Sequence, residues 1–392
     1  MPKKTKPSTP KKREQVLEAA VIAKNFGFTI KHPQGVSKDD IKIVESHQTE
    51  KGYLNEKLFP MEEAFSLLKE YKERKQLANP ALHYYEGSIP GGHKKHRKNT
   101  NYERINLHIL NVEESIADIL IIKTIQSILA EHGIRKIQVK INNIGDIESR
   151  QSYVKAAKSY YRKNINGLNN HCRQLFKENL RSLITKGKNE CLAIHDEAPK
   201  PMEFLNEPAR KKFSEILEYL ETLEIPYQID QNILGDLNYS TNTIFEFINE
   251  DTGEVVAAGT RYDSLARHCA LRKDIPAVGA TIKLPHPKKV SATSLTKIDK
   301  SKFFFLQIGF AAKLQSLVII DKLRKNNIPT LHKLYRDKLN TQISAAQKTA
   351  SDYFIILGQK EALEGSVIIR DKESRSQHII NQEDLVDYLK KL

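Results

Sequence analysis

Residues 104–141 constrain the fold more tightly than any other stretch of this 392-residue chain. Arg104-Ile105-Asn106-Leu107-His108-Ile109-Leu110-Asn111-Val112 alternates polar and apolar side chains, the period of a strand in an antiparallel sheet. At Ser115 the period changes. Ile116, Ile119, Leu120, Ile122, Ile125 and Leu129 share one helical stripe that runs to His132 and stops at Gly133. Ile137, Val139 and Ile141 then set the next strand.

The chain is long for one domain and suits two or three, with 39% apolar residues to build cores. Cys172, Cys191 and Cys269 are too few and too scattered for a disulfide framework, and no Cys-x-x-Cys pair points to zinc. The expectation is a reducing, cytoplasmic setting and no bound metal. No apolar run reaches about 18 residues and no charged-then-apolar leader is present, so neither a membrane span nor export is expected. Sixty-three Lys and Arg against 48 Asp and Glu leave a formal charge of +15, which favours polyanions, nucleic acid first among them. Part of the excess is local. Residues 1–13 carry Lys3, Lys4, Lys6, Lys11, Lys12 and Arg13 with no acidic side chain, and read as a disordered basic tail.

Val16, Leu17, Ala20, Val21 and Ala23 predict a helix closed by Gly27, followed by a strand and turn from Phe28 to Pro33. Residues 150–224 read as charged and mostly helical. Between 288 and 301 the composition shifts to Ser, Thr and Lys and predicts a linker. Beyond it, strands at 303–308, 328–331 and 353–357 alternate with helices at 311–326 and 339–349. A hairpin over 367–370 and 377–380 precedes a last helix from Glu383. That alternation predicts a compact sheet covered by helices.

Ala258-Gly259-Thr260-Arg261-Tyr262-Asp263-Ser264-Leu265, followed by Pro276-Ala277-Val278-Gly279, resembles a block typical of histidyl-tRNA synthetases. Asn142-Asn143-Ile144-Gly145-Asp146 is similar to that family's Asn-x-x-Gly-Asp turn, and Asn25-Phe26-Gly27-Phe28 with His32-Pro33 to its opening helix and strand. His171-Cys172-Arg173 and Asp196-Glu197-Ala198-Pro199-Lys200 resemble words of its insertion domain, and Asp352 to Gly358 with Glu364 to Val367 its anticodon-binding domain. The resemblance runs from about residue 14 to the end. It implies an α+β class II synthetase-like antiparallel sheet core (14–149 and 225–287) with a helical insertion (150–224), the linker at 288–301, and a C-terminal α/β anticodon-binding-like domain (302–392).

The same comparison shows where the chain departs from the family. Where the third class II motif ends in Glu-Arg, this sequence has Pro285-His286. Tyr84-Tyr85-Glu86-Gly87 resembles the strand before the motif 2 arginine, but Gly91 then falls at the arginine's place unless a register slip brings Arg97 to it. Phe59-Pro60-Met61-Glu62-Glu63 echoes the family's Arg-Pro-Glu-Gly-Thr without the arginine. Ile105 to Leu110 stands where a His-Gln-Ile-Gly-Val-Glu strand would place a carboxylate, and Gly235 stands where a catalytic arginine would fall. Adenylate formation needs such fixed guanidinium groups to hold phosphate charge.

Tyr239, Arg261, Tyr262 and Asp263 survive from the pocket. Two readings of them stay open: a residual ligand pocket, or an Arg261–Asp263 ion pair that the fold itself needs. The resemblance with its losses implies a catalytically inactive relative that binds tRNA or tRNA-like RNA, as a homodimer joined through the class II core near residues 14–26 and Pro33, with no cofactor. The candidate RNA contacts are Lys94, Lys95, Arg97 and Lys98 in a basic loop, and Lys333, Arg336, Lys338 and Gln342 in the C-terminal domain. Two alternatives remain: a divergent, active histidine–tRNA ligase using ATP and magnesium, and a regulatory subunit of a histidine-biosynthesis enzyme.

Overall fold

The computed structural model describes residues 15–32, 35–46, 61–74, 79–87, 102–187, 189–268 and 274–392. The expected basic tail and Pro33 lie outside these residues. At the centre is an eight-stranded sheet, in the order Thr29–Ile30, Ala81–Glu86, Tyr102–Leu110, Ala277–Pro285, Val255–Arg261, Thr241–Asn249, Ile137–Asn143, Tyr227–Ile229. The six inner strands pair antiparallel, and the two short edge strands join in parallel. The strand expected at 104–112 therefore lies inside the sheet and ends at Leu110, just before Asn111, whose φ is 60°.

Helix Ile116–Glu131 crosses one face of this sheet. Its apolar surface is wider than the predicted stripe, because Ile121 and Ile128 are as deeply buried as Ile119 and Ile122. A helix apolar on nearly all sides must be covered on nearly all sides. The sheet lies beneath it, and helices Glu18–Asn25 and Glu207–Thr222 pack against it. Buried side chains of this layer continue into the C-terminal sheet as one cluster.

Gly145 turns the chain out of the sheet into the insertion at φ +72°. A Cβ there would meet the Ser149 Cβ at 2.4 Å, so the Asn-x-x-Gly-Asp turn requires glycine. Asp146, Asn169, Asn179 and Asn206 then cap four of the helices that follow, their side chains accepting from Ser149, Cys172, Ser182 and Ala209 N–H. The insertion has its own core, which includes Tyr153, Tyr161 and Leu183.

In the C-terminal domain the strand order is Thr330–His332, Phe303–Gln307, Tyr353–Leu357, Ser366–Asp371, Gln377–Asn381, the first three parallel and the last two antiparallel. The expected linker is a structured element instead. Lys289–Ser291 pairs antiparallel with Gln15–Leu17, and helix Thr293–Asp299 follows, tied back by Lys24 to Asp299 at 2.6 Å. Polar composition misled here because backbone pairing with a distant strand orders the segment, and only Ile298 of the helix is buried. The same pairing starts the first helix at Glu18.

Helix Phe310–Lys325 docks the C-terminal domain onto helix Ile116–Glu131 through ions. Lys123 Nζ lies 3.0 Å from Asp321, which also takes Arg324 at 2.8 Å and Lys325 at 3.1 Å, while Arg324 reaches Glu131 at 3.1 Å. Burial alone would raise the Asp321 pKa, but Lys123 and Arg324 outweigh it and hold the carboxyl below the usual range. Removing one partner of such a cluster leaves the other charges desolvated. Asp321→Asn should cost roughly 3–5 kcal/mol in denaturant unfolding, and Lys123→Met with Asp321→Leu should recover most of it. Equal stability of Asp321→Asn and the parent chain would refute a shared role for these charges.

Candidate functional site

The retained block sits where three central strands end. Arg261 closes strand Val255–Arg261 and reaches the first turn of helix Ile116–Glu131. Its Nε donates to Asp118 at 3.0 and 2.9 Å and its Nη2 at 2.6 Å, with further bonds to the Glu114 and Val112 carbonyls at 3.1 and 3.4 Å. The Arg261 and Asp118 side chains are 2% and 1% exposed. Desolvation works against the guanidinium charge, but Asp118 and Asp263 outweigh it and Arg261 stays protonated. The dominant partner is thus Asp118, with Asp263 at a longer 3.7 Å. Sequence reasoning passed over Asp118, whose one signal was a carboxylate in the first turn of an otherwise apolar helix.

Asp263 is held by the Ala277 N–H at 2.7 Å and by Thr241 Oγ1 and Asn242 Nδ2 at 3.2 and 3.3 Å. Tyr239 is buried and donates to the Val44 carbonyl. Tyr262 is buried too, its hydroxyl 2.7 Å from His108 Nδ1. Three of the four retained residues therefore face inward, and Asp263 alone of them lines a cleft.

Arg104, Asn106 and His108 share one face of the central strand, since side chains two apart point the same way. That face is buried against helix Met61–Glu73. Arg104 Nη1 donates to Glu63 at 3.1 Å, and Tyr85 donates to the other Glu63 oxygen at 3.1 Å. The Tyr85 oxygen lies 3.4 Å from His108 Nε2, and the two rings stack with centroids 5.7 Å apart. With Tyr85 donating to Glu63, the network assigns the imidazole proton to Nε2 and leaves Nδ1 to accept from Tyr262. Asn106 is satisfied by the Gly87 carbonyl and Thr281 at 2.7 and 2.8 Å. No single residue of this Arg104–Glu63–Tyr85–His108–Tyr262 chain had stood out in the sequence as a site residue apart from Tyr262.

The described positions at which the resemblance implies a missing catalytic group are packed shut or turned outward. Gly235 has φ +59°, and a Cβ there would meet Ser240 Oγ at 2.6 Å. Leu110 is fully buried, and Pro285 and His286 are exposed at the end of their strand. Asp263 opens onto a cleft of about 390 Å³ whose lining includes Asp146, Glu148, Asp274 and Arg267. Arg267 is already held by Asp274 at 2.5 and 2.7 Å.

The expected RNA contacts separate. Lys94, Lys95, Arg97 and Lys98 lie outside the described residues, as does Gly91. Lys338 is exposed, Lys333 lies 5.7 Å over the Tyr335 ring, and Arg336 is half-buried and donates to the Thr341 carbonyl at 3.4 Å. Gln342 is not available to RNA. It is fully buried and clips the Gln307 backbone, accepting from N–H at 3.0 Å and donating to C=O at 2.8 Å. With Ala346 one turn on, it lies on the inner face of helix Leu339–Gln347. In the insertion the Cys172 and Cys191 sulfurs are 2.8 Å apart, while His171 and His195 bond Glu190 and Tyr161 at 2.6 and 2.7 Å.

Burial holds His108 neutral, pushing its pKa down to about 3, and burial pushes His83 and His332 down to about 4. Each falls from 6.5, so each takes up a proton on unfolding. Stability is full above pH 6.5 and is lost as pH falls toward 4, by up to about 1.4 kcal/mol per pH unit per histidine. In unfolding titrations near pH 5, His108→Gln should flatten this slope by about one proton; an unchanged slope refutes the assignment. Tyr262→Phe, which strands Nδ1, should cost about 1–2 kcal/mol.

Comparison with known proteins adds family to geometry. The profile described as histidyl-tRNA synthetase matches residues 71–286, and the anticodon binding domain profile matches 308–392. Histidine–tRNA ligase of Acetivibrio thermocellus is 30% identical over 278 residues, 70% of this chain and 66% of that one. The Thermotoga maritima enzyme is 26% identical over 296 residues, 74% of this chain and 69% of its own. The apo S. aureus histidyl-tRNA synthetase structure aligns over 94% of this chain and 92% of its own, at 18% identity and a TM-score of 0.49. The histidyl-tRNA synthetase profile alone spans more than half of the chain, over all but the first strand of the eight-stranded sheet, and this protein belongs to the histidyl-tRNA synthetase family.

Proposed function

We propose that this family member no longer forms histidyl-adenylate and instead binds tRNA or tRNA-like RNA in a binding or regulatory role, as a cytoplasmic homodimer. The observation that carries the loss of chemistry is the commitment of Arg261. Its guanidinium is spent on Asp118 and two carbonyls, and the cleft beside it is lined by carboxylates with Arg267 already paired. The described lining offers no unpaired cation for a triphosphate. Transferring an adenylyl group without such donors forfeits roughly 3–4 kcal/mol of transition-state stabilisation for each one missing.

RNA binding is supported by the +15 charge and the anticodon-binding domain at 308–392. The proposed phosphate contacts are Lys94, Lys95, Arg97 and Lys98 with Lys333, Arg336 and Lys338. A second reading, an active ligase using ATP and magnesium, is favoured by one observation: Arg104 lies on the sheet floor with Glu63, only 11% exposed.

One measurement separates these readings, and a second tests the RNA binding. Histidine-dependent ATP–pyrophosphate exchange should stay at background; exchange that disappears in Arg104→Ala would establish the ligase instead. Binding of total tRNA should weaken steeply with salt, and Lys333→Glu with Lys338→Glu should weaken it further, whereas salt-insensitive binding or none defeats the RNA reading. Sedimentation of the full chain at micromolar concentration tests the dimer, which a purely monomeric boundary excludes.

A further inference from the structure

The ordered 289–299 segment creates a cleft of about 630 Å³ between helix Thr293–Asp299 and the edge of the C-terminal sheet. Lys297, Lys300, Lys302 and Lys390 line it, with Phe303 and Ile328 toward its floor, and no carboxylate side chain is among its described lining. The contrast with two other clefts is one of sign. One is lined by three carboxylates and one lysine, the other by four carboxylates and one arginine. The nearest acidic side chain in sequence, Asp299, faces away to Lys24 at 2.6 Å. Lys302 donates to the Leu392 carbonyl oxygen at 3.1 Å, whereas Lys297, Lys300 and Lys390 are exposed with no ion pair among the described residues.

We propose that this cleft is a site for an RNA strand, with phosphates on the lysine rim and an unpaired base against the apolar floor. The inference rests on the RNA-binding reading above and adds residues to it that lie outside both expected contact groups. Lysine suits the role because a compact ammonium on a flexible stem meets phosphate as a point charge without fixed geometry. Three cations held near each other without counter-charges repel, and an approaching polyanion relieves that repulsion while releasing its own counterions. The apolar floor adds a surface that shields the face of an unpaired base from water.

The test uses the full chain and fluorescein-labelled total tRNA, with anisotropy read at several salt concentrations. The triple variant Lys297→Gln, Lys300→Gln, Lys390→Gln should bind at least about tenfold more weakly near 0.15 M salt, and its salt slope should be shallower by about two. The matching triple Lys→Arg variant should bind like the parent. If the parent binds and the Gln variant matches it in affinity and slope, the cleft proposal falls while RNA binding stands. If the parent binds no tRNA, both fall together. Equal loss in the Gln and Arg variants also overturns the proposal, because charge is then not what the site uses. Displacement of tRNA by polyglutamate as readily as by single-stranded RNA reassigns the cleft to an acidic protein partner.

Discussion

The buried pair between Arg261 and Asp118 is the constraint on which the catalytic-type half of this protein depends. It joins the end of a central strand to the first turn of the helix that carries the core, across 143 positions of sequence. Each group alone would be prohibitive to bury. Together, with two carbonyls each taking one further guanidinium proton, they are tolerated, and removing either one would leave an uncompensated charge in a dry site. The arginine is therefore retained by packing whatever happens to the chemistry around it. The 258–265 block can thus keep its form independently of the departures that the resemblance implies at Leu110, Gly235 and His286.

The same logic extends across the sheet floor. In a strand with one wet face the polar positions should meet solvent, yet Asn106 and His108 are almost completely buried. Their burial is possible because each polar atom has a partner, and because desolvation keeps the imidazole uncharged so that it can both donate and accept. Glu63 is the hinge of this network, since it takes both Arg104 and Tyr85. A polar layer in which Asn106, His108 and both Glu63 oxygens have partners fixes side-chain orientation on the sheet floor.

Much of the fold was legible from local pattern. The alternation at 104–112, the helix from Ile116 and the alternating C-terminal strands and helices come from short-range periodicity, and they were found close to their expected bounds. What was not legible depends on distant partners. Asp118 acquires meaning only beside Arg261. The 288–301 segment looked like a linker because its own side chains bury little, but its order comes from backbone pairing with Gln15–Leu17. Gln342 read as a solvent-facing contact because amides usually are; it faces inward because Gln307 presents an N–H and a C=O that only an amide can answer together. The retained block was found through its family resemblance, while the polar network beneath it was not, because its members come from four separate segments.

Charge is distributed in this chain with a sense that the net figure hides. The cleft beside Asp263 is lined by carboxylates, and cations elsewhere in the core are neutralised one by one: Lys123 and Arg324 by Asp321 and Glu131, Arg104 by Glu63, Arg261 by Asp118. The excess behind the +15 must therefore lie outside those pairs. Lys297, Lys300 and Lys390 are part of it, arranged around one cleft at the junction of the core with the C-terminal domain. On the proposed RNA-binding reading, a polyanion approaching this molecule is repelled by the carboxylate-lined cleft and drawn to that junction. The docking cluster at Asp321 keeps helix Phe310–Lys325 against the core, so the junction is presented as a fixed surface, and ordering it on binding costs little further entropy.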